Sequence, residues 1–180
     1  MARTGQADEA GRLHARVDVA GAGKASVATG VPVLDHLIGL LAEYASFDLE
    51  LEIAPGEAEA EIAAAGRALG RALEDALRSG GSRGHGSAVV PADEALAHVA
   101  VEASGRPLVV SNVDLSDARV AGLAHDVVGT FLHELAEGAG LTLHVRLFEG
   151  SDPEHVLEAI FKALGVALAQ SCRPRRRKER

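Results

Sequence analysis

Polar and apolar residues follow two kinds of pattern in the first part of the chain, and these predict strands and helices. Residues 12–21, 24–30 and 47–53 alternate between polar and apolar positions, as half-buried strands do. The Ala-Gly-Ala-Gly turn between the first two predicts a hairpin. Residues 32–45 carry apolar residues at helical spacing and a proline in the first turn, and an alanine-rich helix is predicted at 57–78.

The same order of elements recurs after a predicted linker, the Gly- and Ser-rich residues 79–87. The predicted elements are strands 94–103 and 107–115, helix 125–139, strand 141–147 and helix 152–171. Individual residues also recur: Leu41, Ala42, Glu43, Ala45 and Leu49 as Leu135, Ala136, Glu137, Ala139 and Leu143, and Glu59, Ala64, Ala68, Leu69, Gly70, Ala72 and Leu73 as Glu154, Ala159, Ala163, Leu164, Gly165, Ala167 and Leu168. This repetition indicates a duplication.

The predicted fold class is α+β, with two duplicated strand-strand-helix-strand-helix halves, each a sheet with helices on one face. Residues 1–10 are expected to form an N-terminal arm, 11–80 the first half and 81–172 the second half. The basic residues 173–180 are expected to be a disordered tail, because no aromatic residue interrupts them as in a nucleic-acid-binding arm.

Composition narrows the classes of function. The 180 residues carry a net charge of −8, which argues against a nucleic-acid partner. Cys172 is the single cysteine, so no internal disulfide is expected. No apolar run has membrane-spanning length and no signal-peptide pattern precedes the first strand, so we expect a soluble cytoplasmic protein with no membrane partner.

The start of the last helix carries residues that commonly bind metals. His155 and Glu158 are three residues apart, so both side chains point the same way from the helix. Ser151-Asp152-Pro153 supplies capping residues and a proline for the helix start. His144, in the preceding strand, and His36, in the first helix, are further candidate ligands.

Each of these candidates also has a structural explanation. A His-x-x-Glu pair at a helix start is commonly an exposed polar pair, with a carboxylate that the helix dipole favours. His144 fits the polar face of an alternating strand, and His36 fits a half-buried side chain with a hydrogen-bond partner. By pattern alone the structural explanations are favoured, because short His/Glu motifs match often by chance.

Four longer segments of the sequence resemble a known protein family. TGVPVLDHLIGLLAEYASFDLELE, VPADEALAHVAVEASGRPLVVSNVDL, GLTLHVRLFEG and HVLEAIFKAL resemble the imidazoleglycerol-phosphate dehydratase family of histidine biosynthesis, in order, from about residue 11 to residue 171. The resemblance implies two duplicated halves assembled as a homo-oligomer, an octahedral shell with active sites at subunit contacts. It also implies manganese as cofactor, bound by histidines and glutamates from both halves, and removal of water from imidazoleglycerol phosphate.

The resemblance assigns roles residue by residue. His36 matches the histidine of the Leu-Asp-His motif and His144 that of the Thr-Leu-His strand, and His155 and Glu158 match the second His-His-x-x-Glu motif. Arg106 and Lys162 match phosphate-binding residues. The departures are Glu154 for one histidine, Glu59, Ala60 and Ala63 for the whole first motif, Ala10 for the acid/base glutamate, Ala58 for an aspartate, Gly84 for a phosphate-binding arginine (with Arg83 beside it) and Ile160 for a serine.

These departures lead to three hypotheses. The leading one is a family member with degenerate metal and acid/base sites and weak or absent dehydratase activity. Such a protein would act as a structural shell, as a partner of a true dehydratase, or as a binder of a phosphorylated imidazole-type small molecule through Arg106 and Lys162. The alternative is a working dehydratase with a reduced metal site of His36, His144, His155 and Glu158, and the third is a different enzyme on the same scaffold.

Overall fold

The computed structural model describes residues 3–7 (backbone), 13–79, 81–113 and 127–175. Each half has the order strand, strand, strand, helix, strand, helix. The elements are β1 Arg3–Ala7, β2 Leu13–Asp18, β3 Ala25–Ala28, α1 Pro32–Ala45, β4 Asp48–Ile53, α2 Ala58–Arg78, β5 His85–Ala92, β6 Ala95–Glu102, β7 Leu108–Ser111, α3 Val127–Ala139, β8 Thr142–Glu149 and α4 Pro153–Cys172.

The two halves form two four-stranded sheets with the same topology. The strand orders are β1-β2-β4-β3 and β5-β6-β8-β7. In each sheet the third strand lies parallel to the fourth, and a helix, α1 or α3, makes the crossover between them. The predicted α+β class and the duplication are therefore confirmed, with one more strand at the start of each half than the sequence predicted.

Two local predictions were wrong. β2 and β3 do not form a hairpin, because both pair with β4, one antiparallel and one parallel. Leu49 and Leu51 of β4 are buried, which is consistent with its central position. The predicted linker 79–87 includes the start of β5, which pairs with β6 along its whole length from His85. The strand was not predicted because glycine and serine residues such as Gly86 and Ser87 usually indicate a turn.

The ends of the chain also differ from the expectation. Part of the predicted N-terminal arm forms β1, which pairs antiparallel with β2. At the other end, Pro174 bridges to Ser82, and Arg175 N donates to Gly81 O at 2.7 Å. Residues 173–175, expected to belong to a disordered tail, therefore line up against residues 81–83. Some residues of the predicted segments lie outside the described residues: 1–2 and 8–10 of the arm, 12, 80, 114–115, 125–126, and 176–180 of the tail.

The helices pack across the two halves. α2 lies against α3 and α1 against α4, so one continuous hydrophobic core contains residues from both halves. Glycines allow these close crossings: a methyl group at Gly70 would lie 2.5 Å from Leu135 O, and one at Gly165 would lie 2.4 Å from Leu41 O. Gly70 and Gly165 are equivalent positions of the repeat. In the described part of the chain, no helix is long and apolar enough to cross a membrane.

Candidate functional site

His36 lies on the first turn of α1, and a buried threonine fixes that turn. Val31, at the N-cap, offers no side-chain cap. Instead, Thr29 donates from its backbone N–H and its hydroxyl to Asp35 Oδ1, at 2.9 and 2.5 Å. Because Thr29 is fully buried, these bonds hold Asp35 in place, and the next residue, His36, projects to the exposed side.

Glu158 of α4 joins His36 to Lys162. His36 Nε2 lies 3.1 Å from Glu158 Oε1, and Lys162 Nζ donates to Glu158 Oε2 at 3.2 Å. The hydrogen bond from His36, followed by that from Lys162, lowers the pKa of Glu158 below its ordinary value. The two predicted ligands His36 and Glu158 are therefore in direct contact, with a carboxylate that stays charged.

His155 is held by a carboxylate that sequence analysis left without a role. His155 Nδ1 lies 2.5 Å from Glu94 Oε2, while Glu94 Oε1 accepts the backbone N–H groups of Asp152 at 2.9 Å and Ser151 at 3.2 Å. The Asp152 N–H, then His155, lowers the pKa of Glu94 to about 2. Glu94 in turn raises the pKa of His155. No sequence pattern indicates this pairing, because Glu94 lies in the turn between β5 and β6, 61 residues before its partner.

This arrangement suits a metal ligand. A histidine that binds a metal through one nitrogen commonly gives its other N–H to a carboxylate, which fixes the tautomer and the ring orientation. Glu94 occupies that role at Nδ1, so His155 presents Nε2, which lies 3.5 Å from Asp93 Oδ2. Imidazole and carboxylate donors together suit divalent transition ions. Within the described residues, however, no group of three or more His, Cys, Asp or Glu side chains of one chain could hold an ion.

His144, the remaining predicted ligand, stands apart from the other three. It lies in β8 between Ala100 of β6 and Val110 of β7, and its side chain is exposed. Its neighbours Leu143 and Val145 are buried in the core that the helices share. His144 therefore points away from the helix layer that carries His155 and Glu158, and one chain does not bring it to them.

The two predicted phosphate-binding residues also have separate surroundings. Arg106 is exposed in the turn between β6 and β7, where its backbone N–H donates to Ser104 Oγ at 3.1 Å. Lys162 lies on α4 beside Glu158 and Tyr44. Arg83, which stands beside the family's arginine position at Gly84, donates from Nε to His85 Nε2 at 3.1 Å. Ala10, at the acid/base position, lies outside the described residues.

The start of α2 is equivalent to the start of α4 in the repeat, but it carries different side chains. Ala60 and Ala63 stand where α4 has His155 and Glu158, as the sequence predicted. Glu61 is buried, accepts the backbone N–H of Gly56, and packs against Gly30, which has a φ of 83°. The Glu61 carboxylate therefore closes the loop before α2 rather than facing outward.

Comparison with known proteins identifies the family of this chain. The sequence profile described as "Imidazoleglycerol-phosphate dehydratase" matches residues 29–168. The chain belongs to the imidazoleglycerol-phosphate dehydratase family. Relatives of that name include one from Syntrophobacter fumaroxidans, 41% identical over 167 residues (90% of this chain, 84% of the relative), and one from Acetivibrio thermocellus, 36% identical over 176 residues (95% and 88%).

Solved structures agree with the family assignment. The crystal structure of imidazoleglycerol-phosphate dehydratase from Staphylococcus aureus superposes with a TM-score of 0.87 at 27% identity, over 97% of this chain and 100% of that one. The Pyrococcus furiosus protein, described as IGPD in complex with (S)-C348, gives a TM-score of 0.80 at 28% identity, over 96% and 95%. The predicted family is confirmed.

Proposed function

We propose that this protein is a hydro-lyase that dehydrates imidazoleglycerol phosphate with a reduced metal site of His36, His144, His155 and Glu158. The observation that carries the proposal is the support given to His155, whose imidazole is oriented by Glu94, itself held by two backbone N–H groups. Residues left over from a lost site would not need such support. The names of relatives at 36–41% identity supply the substrate and the reaction.

The residues of this chain would divide the work between binding and orientation. A manganese ion bound there would supply Lewis-acid assistance to the departure of water. Glu94 keeps a proton on Nδ1 of His155 and so leaves the Nε2 lone pair for a ligand bond. His36 and Glu158 offer a nitrogen and an oxygen donor at one place. Lys162 and Arg106 supply positive charge for the phosphate of the substrate.

We further propose that a second copy of the chain completes the site. The outer face of the second sheet, which carries His144, also carries Val89, Leu108 and Phe148 at 52%, 51% and 57% exposure. The equivalent face of the first sheet carries His14 and Arg16, which both pair with Glu50. His144 has no hydrogen-bond or ion-pair partner among the described residues, and exposed apolar side chains beside it favour contact with another protein surface. The octahedral shell implied by the resemblance is one form that such contacts would build.

Light scattering tests this assembly. We expect a particle several times heavier than the 18.6 kDa chain. Phe148→Glu should reduce the particle mass, because it places a charge in the apolar contact, whereas Glu50→Gln on the charged face of the first sheet should not. A monomeric wild-type protein would contradict the proposal.

Turnover of imidazoleglycerol phosphate by the purified protein tests the function. We expect turnover that disappears after chelation and returns on adding Mn²⁺, at a rate below that of the Syntrophobacter fumaroxidans relative assayed beside it. The lower rate follows because alanines replace donors at the start of α2. Metal analysis of the same samples should show manganese only in the active ones. Protein that retains no metal and gives no product would refute the proposal.

The construction of α2 favours a second candidate, a family member that binds the substrate without turning it over. Ala60 and Ala63 cannot coordinate an ion, and the nearby Glu61 is used for a backbone contact. Calorimetric binding of imidazoleglycerol phosphate without turnover, and failure to rescue a histidine auxotroph, would favour this candidate. A cytoplasmic location stays a prediction from the sequence.

A further inference from the structure

We propose that Tyr44 is a positioning residue, which holds the Lys162 ammonium group in place for the phosphate of the ligand. The inference rests on the proposed function, in which Lys162 binds that phosphate. It concerns a residue of α1 that no motif singles out. Tyr44 is the single tyrosine of the chain. The residue is 40% exposed, and its ring lies beside Lys162, which bonds to Glu158.

The crossing of α1 and α4 brings the two side chains together. Gly165 allows the backbones to meet at Leu41 and Ala45, since a methyl group there would lie 2.4 Å from Leu41 O and 3.1 Å from Ala45 N. Tyr44 directly precedes Ala45, and Lys162 lies one turn before Gly165. At this crossing Lys162 Nζ stands 5.7 Å from the centroid of the Tyr44 ring.

That distance lies within the range of cation–π attraction, which is about 6 Å. The Lys162 side chain is only 14% exposed, so water screens the attraction little. Packing against the apolar core is a poor explanation for a ring that is so much exposed. The position of the ring over the ammonium group explains instead why an aromatic side chain suits this site.

The ammonium group has three N–H donors, and the structure accounts for two directions around it. Glu158 Oε2 accepts one N–H at 3.2 Å, and the ring of Tyr44 covers another side. Among the described residues no other group bonds to Lys162 Nζ, so the third direction is left for an anion. Without the ring, only the contact with Glu158 would restrain the flexible Lys162 side chain. A phosphate would then have to order that side chain on binding, which lowers the affinity.

The test compares Tyr44→Phe, which keeps the ring, with Tyr44→Leu, which removes it. We expect Tyr44→Leu to raise KM for imidazoleglycerol phosphate about fivefold with little change in kcat, because a cation–π contact of about 1 kcal/mol acts on binding. The KM of Tyr44→Phe should stay within about twofold of the wild-type KM, because the ring is kept. Glu43→Gln, the neighbouring exposed position on α1, is the matched control.

A second measurement does not depend on turnover. The rate at which acetic anhydride labels Lys162, followed by mass spectrometry without ligand, should rise severalfold in Tyr44→Leu and not in Tyr44→Phe. Equal labelling rates in all variants, or a Tyr44→Phe protein that behaves like Tyr44→Leu, would overturn the inference. If the wild type fails to bind imidazoleglycerol phosphate, the proposed function falls, and the labelling rates still decide whether Tyr44 restrains Lys162.

Discussion

Replacing His155 with alanine is expected to lower kcat/KM for imidazoleglycerol phosphate by about 100-fold or more, since loss of even an outer partner of a metal ligand commonly costs 10- to 100-fold. His155 Nε2 is the nitrogen that Glu94 leaves for coordination, so bound manganese should fall together with turnover. Glu94→Gln, which keeps the shape but weakens the hold on Nδ1, should fall between the wild type and His155→Ala. Steady-state kinetics and metal analysis of the same preparations measure both effects.

The control for this prediction is His133→Ala. His133 is exposed on α3, and its nearest charged partner is Glu137 at 4.0 Å, so its removal should change neither metal content nor kcat/KM. Circular dichroism should show that all three variants keep the wild-type helix content. If His155→Ala retained the manganese content and the rate of the wild type, the metal site proposed here would be wrong.

Sequence patterns selected candidate ligands but did not predict the contacts between them. His36, His155 and Glu158 were selected as candidates, and for His155 and Glu158 the spacing along one helix is enough to show that they share a face. The contact between His36 and Glu158 joins residues 122 positions apart, and it depends on α1 packing against the helix of the other half. No periodicity in α1 or α4 states which helix will be its neighbour.

For the strands too, the sequence pattern predicted the elements but not how they pair. The alternation in β2 and β4 predicted strands correctly, but strand pairing depends on how the chain crosses over, and α1 returns it parallel to β3 rather than as a hairpin. β5 was missed because Gly86 lies inside it. A methyl group at Gly86 would lie 2.0 Å from Ala167 O, so glycine is required there by the approach of α4 and does not mark a turn.

The last helix of each half, α2 in the first and α4 in the second, shows which structural constraint persisted after duplication. Gly70 and Gly165 hold equivalent places and both permit backbone contact with a helix of the other half. Ala60 and His155 also hold equivalent places, yet they differ in chemistry. Side chains that face outward at a helix start change without disturbing the core, whereas a glycine at a helix crossing has no substitute that fits.

A second large effect is expected at Gly165, where α4 crosses α1. Gly165→Ala should destabilise the protein by about 3 kcal/mol, the upper part of the range for overpacking, because the added methyl group meets backbone atoms of α1 rather than a movable side chain. Urea denaturation followed by circular dichroism measures the loss. The separation of α1 from α4 should also weaken the contacts of His36 and Tyr44 with α4, so metal affinity should fall with stability.

Gly39→Ala is the matched helix glycine, because a methyl group there meets nothing within 4 Å. This substitution should stabilise α1 by about 0.5–1 kcal/mol, as alanine does for glycine in a helix. The two changes add the same atoms to packed helices and should act in opposite directions. A Gly165→Ala protein as stable as the wild type would mean that α1 and α4 are not in backbone contact, and that the crossing does not position His36 and Tyr44 against α4.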